Sequence, residues 1–166
     1  TSWAAPVASA PVTGTVVLPG SKSASARSLV LAALAAGTSR LTGVLDSRDT
    51  ALMRAGLVSL GATITDRPDG AVEVTGAEAI HGGSTIDCGL AGTVLRFLPP
   101  LAALAQGPTT FTGDAAAAGR PVAPLLAALA TLGARVSEPY RLPFQLSGGP
   151  RFAGGSVGLD ASGSSQ

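Results

Sequence analysis

The chain repeats itself with a period of about 70 residues, and this narrows its possible folds more than any other property. Leu31-Ala-Ala-Leu-Ala-Ala-Gly37 matches Leu101-Ala-Ala-Leu-Ala-Gln-Gly107, and Leu41-Thr-Gly43 matches Phe111-Thr-Gly113. Leu57-Val-Ser-Leu-Gly-Ala62 matches Leu129-Ala-Thr-Leu-Gly-Ala134. Upstream, Gly14–Arg27 lines up with Gly83–Arg96, setting Lys22 and Ser23 over Ala91 and Gly92, and Arg27 over Arg96. Order and spacing hold through every block, which chance similarity in an alanine- and glycine-rich chain does not produce. A repeat of this length is one supersecondary unit that must bury its apolar face against its neighbours.

Each unit reads as strand, glycine/serine loop, buried helix, strand, second helix and hairpin, a βαβαββ pattern and hence an α+β fold. In the first unit Gly14–Leu18 is expected as a strand, followed by a helix from about Ser25 to Ala36 that Gly37 closes. Leu29–Ala36 is apolar on all sides, which predicts burial on every face. Arg40–Val44 is expected as a short strand, and Asp46 or Ser47 as the cap of a helix over Thr50–Leu60 that Gly61 ends. Thr63–Thr65 and Ala71–Thr75 flank the turn Arg67-Pro68-Asp69-Gly70, a hairpin signal. In the second unit Pro121 lies near a helix start and Gly133 at its end. Pro99 and Pro100 fall inside that unit's first helix and are expected to delay or kink it. A third unit begins, with Gly154-Gly-Ser156 echoing Gly82-Gly-Ser84 and Asp160–Gln166 where a helix opens. A strand and loop without their helix read as part of a longer protein.

Composition removes several function classes. With 11 basic and 10 acidic residues the chain has no bulk charge to hold nucleic acid or a membrane surface. The longest apolar runs, Leu29–Ala36 and Phe97–Ala105, are too short to span a bilayer. Thr1–Val12 has neither the basic nor the apolar region of a secretory signal. The single cysteine, Cys88, cannot form an internal disulfide, which suits a reducing compartment or is neutral about it. A cytoplasmic protein is expected. Scarce aromatics and abundant alanine predict a core of closely approaching helices.

Lys22 is the only lysine, and it stands at a helix mouth in Pro19-Gly20-Ser21-Lys22-Ser23. Helix N-termini carry unpaired N–H groups and a dipole that favours anions. Three such mouths occupy equivalent repeat positions: Gly20–Ser23, Gly89–Thr93 and Ser162–Gln166. Units packed about a common axis would bring them to one rim, where Lys22, Arg27 and Arg120 suit a ligand carrying phosphate and carboxylate groups. Arg96 reads equally well as part of that rim or as a structural partner of Asp87 or Asp114. Asp46, Arg48 and Asp49 read as a cap and a solvated face, His81 as a loop residue, and Cys88 as a small buried hydrophobe. A P-loop is excluded because Ser21 stands where glycine must precede the lysine. The spacing of the β-lactamase motif fails at Pro19. One histidine and one cysteine, without clustered carboxylates, argue against zinc, and no Ser-His-Asp arrangement is apparent.

Leu18-Pro-Gly-Ser-Lys-Ser23 with Arg27, Asp87-Cys-Gly-Leu-Ala-Gly-Thr93 with Arg96, Gly119-Arg-Pro121 and Ser164-Ser-Gln166 together resemble the EPSP synthase family, the 3-phosphoshikimate 1-carboxyvinyltransferases. Order and spacing agree over nearly the whole chain, and the alanine richness suggests a high-GC bacterial version. Family members are much longer, so the resemblance implies an N-terminal fragment. It implies an inside-out α/β barrel in which parallel buried helices lie beneath outer sheets. Residues 1–20 would then be a strand and hinge of the other domain. Residues 21–166 would be an incomplete domain with units at about 21–81 and 82–153 and the start of a third at 154–166.

The implied reaction moves the enolpyruvyl group of phosphoenolpyruvate to the 5-hydroxyl of shikimate-3-phosphate, in aromatic amino acid biosynthesis, without metal or organic cofactor. The resemblance also implies a glyphosate target. By motif, Lys22 would contact both ligands and act in catalysis. Ser23, Arg27, Ser164 and Ser165 would hold shikimate-3-phosphate, Gly92 and Arg120 phosphoenolpyruvate, and Gln166 would lie between the two. The partner implied is the remainder of a monomeric parent enzyme, with neither nucleic acid nor membrane. Two departures stand out: Ala26 replaces the family's asparagine, and Ala115–Gly119 replaces charged residues usual before Arg-Pro. The family's proton-transfer carboxylates fall beyond residue 166, so the chain alone is expected to be inactive. The related UDP-N-acetylglucosamine enolpyruvyltransferases generally have asparagine after the loop lysine, where Ser23 stands. A non-catalytic sugar-phosphate-binding module and one half of a split enzyme are the readings from other classes.

Overall fold

Ser21 decides where the first helix begins. Its side-chain oxygen accepts from the backbone N–H of Ala24 at 3.3 Å, and its carbonyl accepts from Ser25 N–H at 2.9 Å. Helix α1 (Lys22–Leu34) therefore starts three residues before the expected position and puts Lys22 in its first turn. The chain then runs through β1 (Thr38–Leu41), α2 (Arg48–Ser59), β2 (Thr63–Asp66) and β3 (Val72–Thr75). It continues with β4 (Thr85–Asp87), α3 (Gly92–Ala102), β5 (Thr109–Thr112), a 3-10 turn (Ala115–Gly119), α4 (Ala123–Thr131), β6 (Arg135–Val136) and β7 (Phe144–Ser147). The computed structural model describes residues 2–148, 152 and 154–159.

The expected strand at Gly14–Leu18 does not form. No described strand pairs with this segment, and Val16, Val17 and Leu18 are exposed, so the extended backbone has neither a ladder nor a core to join. The strand expected at Arg40–Val44 lies slightly earlier, at Thr38–Leu41. Its register against β3 pairs Thr38 with Thr75 and Leu41 with Val72, and Gly43, at φ +67°, turns the chain away. The hairpin stands where the turn signal put it, with Thr63 opposite Thr75 and Asp66 opposite Val72.

One sheet has the order β1-β3-β2, all antiparallel; the other has the order β4-β5-β7-β6, with β4 and β5 parallel. The core between helices and sheets contains Leu29, Met53, Leu57, Val74, Ile86 and Leu98, among others. In the second sheet the rings of Phe111 and Phe144 stack with centroids 4.9 Å apart, filling the place where two strands meet the helices.

Helix α1 is not buried on every face. Leu29, Ala32 and Ala33 are buried, whereas Leu31 is 68% exposed and Leu34 50%. Neither do the prolines delay α3, which starts at Gly92 and runs through Pro99 and Pro100. Burial of Leu95, Leu98, Leu101 and Ala102 holds that helix across the two missing N–H donors, and Ala103 N–H closes its last turn on Pro99 O at 2.9 Å. No helix among the described residues is long and apolar enough to cross a membrane.

Candidate functional site

The first turns of α1 and α2 meet through an ion pair. Lys22 Nζ lies 2.9 Å from Asp49 Oδ2, with the lysine side chain 58% exposed and the aspartate 22%. Asp49 is held there because the α2 start is locked. Ser47 accepts from Thr50 N–H at 3.3 Å while the Thr50 hydroxyl accepts from Ser47 N–H at 3.0 Å, a reciprocal capping box. The cap is thus Ser47 rather than Asp46, and Asp49, read as part of a solvated face, is the counter-ion of the only lysine.

One turn along α1, the Arg27 guanidinium donates to the Ser23 hydroxyl and lies 5.7 Å from the centroid of the Phe97 ring on α3. A cation over an aromatic face is attracted by the ring quadrupole, so this contact joins the two helices in their early turns. Ser25, nearly fully buried, accepts from Leu45 N–H at 2.9 Å and fastens α1 to the loop before α2.

The approach to α3 is shaped by Asp87, whose Oδ1 accepts from Gly89 N–H at 2.8 Å, and by Gly89 itself at φ +48°. The residue before the helix, Ala91, supplies no side-chain cap. The N–H groups at Gly92 and Thr93 therefore keep the unsatisfied character of a helix start. Thr93 Oγ1 is buried without a hydrogen-bond partner. Arg96 does not pair with Asp87 or Asp114. It donates to Gly92 O at 3.3 Å and Pro121 O at 3.4 Å, linking α3 to the residue after Arg120.

Asp114 is taken by Arg48 in a two-pronged pair, Nη1 to Oδ2 at 2.7 Å and Nη2 to Oδ1 at 2.8 Å. The hydrogen bond and charge of Asp114 raise the Arg48 pKa, and those of Arg48 hold the Asp114 carboxyl below its usual range. Sequence reading missed this pair, which joins positions 66 residues apart and follows no motif or periodicity. Arg120 follows the 3-10 turn, is exposed, and makes no ion pair among the described residues.

Lys22, Gly92 and Arg120 make no hydrogen bond or ion pair with one another. Intermediates connect them: Lys22 through Asp49 to α2, α2 through Arg48 to Asp114, and Gly92 through Arg96 to Pro121. Ser164, Ser165 and Gln166 lie outside the described residues. His81 is an exposed loop residue, as expected, and bridges to Gln106.

Cys88 is 1% exposed, and burial, with the Asp87 charge adding to it, pushes its thiol up to about 12 from 9.0. At pH 8 only about one molecule in ten thousand then carries the reactive thiolate. Alkylation of the folded chain at pH 8 is expected to run at least a hundredfold slower than in urea, measured by mass spectrometry. The raised value also means that the folded chain keeps its thiol proton while the unfolded chain loses it. Stability from this group is therefore present below pH 9 and declines as pH rises above that.

The local chemistry amounts to two helix starts, one bearing an ammonium and one uncapped, with an exposed guanidinium on a segment tied to both. The family model for EPSP synthase (3-phosphoshikimate 1-carboxyvinyltransferase) matches residues 7–166. The 3-phosphoshikimate 1-carboxyvinyltransferase of Mycobacterium ulcerans (strain Agy99) is 52% identical over 168 aligned positions, which cover 99% of this chain and 38% of the relative. Two solved structures of EPSP synthase from Acinetobacter baumannii each align with TM-score 0.71 and 28% identity, covering 82% of this chain and 32% of theirs. The chain thus spans well under half the length of the relatives it matches. With the likeness continuous from Val7 onward and the folded body superposing on solved members, the chain belongs to the EPSP synthase family.

Proposed function

We propose that this chain carries part of the active site of an enolpyruvyl transferase acting on phosphoenolpyruvate and shikimate-3-phosphate. The observation that carries the reading is the Lys22 ammonium in the first turn of α1, joined through the α2 start to the segment bearing Arg120. In the reaction, the 5-hydroxyl gives up its proton to a base and its oxygen bonds to C2 of phosphoenolpyruvate, while the methylene carbon takes a proton and becomes a methyl group. The tetrahedral intermediate then loses a proton from the methyl group so formed and breaks its C–O bond to phosphate, giving the enol ether and inorganic phosphate. Both substrates, the intermediate and the enol ether carry phosphate and carboxylate charge, so preorganised cations and helix N–H groups are the expected source of catalysis.

Lys22 contacts both ligands. Ser23 and Arg27 hold shikimate-3-phosphate together with Ser164 and Ser165, Gly92 and Arg120 hold phosphoenolpyruvate, and Gln166 lies between the two. The uncapped α3 start supports the role of Gly92, since N–H groups there favour an anion by about 0.3–1 kcal/mol when exposed. Residues 1–20 belong to another domain of the parent enzyme, which agrees with the exposure of Val16, Val17 and Leu18. The two sheet orders, in which β1-β3-β2 parallels β5-β7-β6, support the repeat; the inside-out arrangement belongs to the same reading.

The test is to combine this chain with the remainder of a full-length relative and assay phosphate release from both substrates. Turnover by the mixture and none by the chain alone is the expected result. Stable association without turnover would favour a binding module, and turnover by the chain alone would overturn its inactivity.

A further inference from the structure

The ion pairs of the described residues differ in what they connect. Arg40–Asp69 and Arg67–Glu73 lie along the first sheet and its hairpin, and Arg54–Asp66 ties the middle of α2 to β2, all within one stretch of the chain. Lys22–Asp49 and Arg48–Asp114 instead start from adjacent residues of one helical turn and reach in two directions. We propose that the first turn of α2 is a brace, with Asp49 holding Lys22 and Arg48 holding the segment that ends in Arg120, so that Arg48 and Asp114 are positioning residues for the anion site.

The brace has a fixed foundation. Besides the capping box, the Thr50 hydroxyl donates to Leu45 O at 2.6 Å, and Thr50 is 2% exposed, so the turn cannot rotate to follow its partners. From Asp114 a short chain of bonds leads to the arginine: Ala117 N–H donates to Asp114 O at 2.8 Å and Arg120 N–H to Ala117 O at 2.9 Å. Asp114 N–H also donates to Gly89 O at 3.2 Å, which draws in the loop before α3. That loop passes close to the guanidinium, and a Cβ at Gly89 would stand only 3.1 Å from Arg48 Nη2. The segment Ala115–Gly119 has only alanine and glycine side chains, and of these only Ala117 is buried. Buried Ala117, the Asp114 N–H bond to Gly89 O and the Arg96 bond to Pro121 O anchor it at single points, and the Arg48 fork adds the one two-pronged side-chain contact seen there among the described residues.

The pair is exposed, with side-chain accessibilities of 59% and 34%, so its contribution to stability is small. A two-pronged guanidinium–carboxylate contact nevertheless fixes orientation, which a single point charge does not. The role of the pair is therefore positional.

The part concerning ligands rests on the proposed function, and the test separates the two. Arg48→Met is made in the chain and in the chain combined with the rest of a full-length relative. Amide exchange at Ala117 and Arg120 is expected to quicken at least about tenfold with an unchanged melting temperature. KM for phosphoenolpyruvate is expected to rise about tenfold with a smaller fall in kcat, since Arg120 is displaced rather than removed. Arg48→Lys keeps the charge without the fork and should recover only part of both effects. The exchanged pair, Arg48→Asp with Asp114→Arg, should recover more. Unchanged exchange in Arg48→Met refutes the brace whatever the activity. Quickened exchange with an unchanged KM refutes its role at the site. Quickened exchange in a mixture that never turns over would leave the brace standing and sink the proposed reaction.

Discussion

Lys22→Met, made in the chain and assayed with the rest of a full-length relative, is expected to cut phosphate release at least about a hundredfold. Removal of one preorganised electrostatic group commonly costs about 10²–10³ in rate. The neighbouring cations on α1 and α2 are already engaged. The chain has no other lysine, Arg27 is engaged by Ser23 and Phe97, and Arg48 is engaged by Asp114. The substitution also leaves Asp49 without its counter-ion, so an attractive charge is replaced by a repulsive one facing anionic ligands. A second variant, Lys22→Met with Asp49→Asn, separates these contributions. It should recover part of the loss if carboxylate repulsion contributes, and none if the ammonium alone matters. The Lys22 side chain is more than half exposed, so the melting temperature of the chain should hardly move. Activity above about a tenth of the unmodified level would mean that Lys22 does not serve the reaction.

Local signals were legible where they act over a few residues. Gly61 and Gly133 end helices α2 and α4, and the Pro68-Asp69-Gly70 turn sets the β2–β3 register, because each depends on one residue's backbone preference. Lys22 could be found because a lone ammonium beside a capping serine is a one-dimensional pattern. Its partner Asp49 could not, because acidic residues in a first turn usually face water and nothing in the sequence says that α1 starts beside α2. Arg48–Asp114 was hidden for the same reason at greater range. The failed strand at Gly14–Leu18 is the opposite case. Its composition suits a strand, but strand formation needs a partner ladder, and composition carries no information about that. The same holds for α1: its all-round apolar character predicts cover on every side, while Leu31 and Leu34 stand exposed on the face that α2 and α3 leave open.

Gly56, at the contact between α2 and α3, carries a prediction of stability. It lies in α2, where a glycine costs about 1 kcal/mol against alanine, so propensity alone would make Gly56→Ala stabilising. A Cβ there would stand 2.3 Å from Leu98 Cδ1 and 3.3 Å from Ile86 Cγ2. The leucine tip is flexible in principle, but Leu98 is fully buried in α3 and Ile86 is 1% exposed, so neither has open space to move into. Overpacking of that kind commonly costs about 1–3 kcal/mol, enough to cancel or outweigh the propensity gain. Gly56→Val adds two methyl groups and a poorer helix former to the same gap, and is expected to destabilise the chain by about 3 kcal/mol. In a chain of this size that lowers the melting temperature by about 6–12 °C, readable by circular dichroism. Leu98→Ala alone should cost about 2–5 kcal/mol by leaving a cavity. Combined with Gly56→Val it should cost clearly less than the sum, because the new methyl groups occupy the space the leucine vacates. Additive losses would show that the two residues do not share that space. Because α2 also carries Arg48 and Asp49, pushing it away from α3 should quicken amide exchange at Ala117 and Arg120 as well. That couples the packing of two small helices to the placement of both cations at the site.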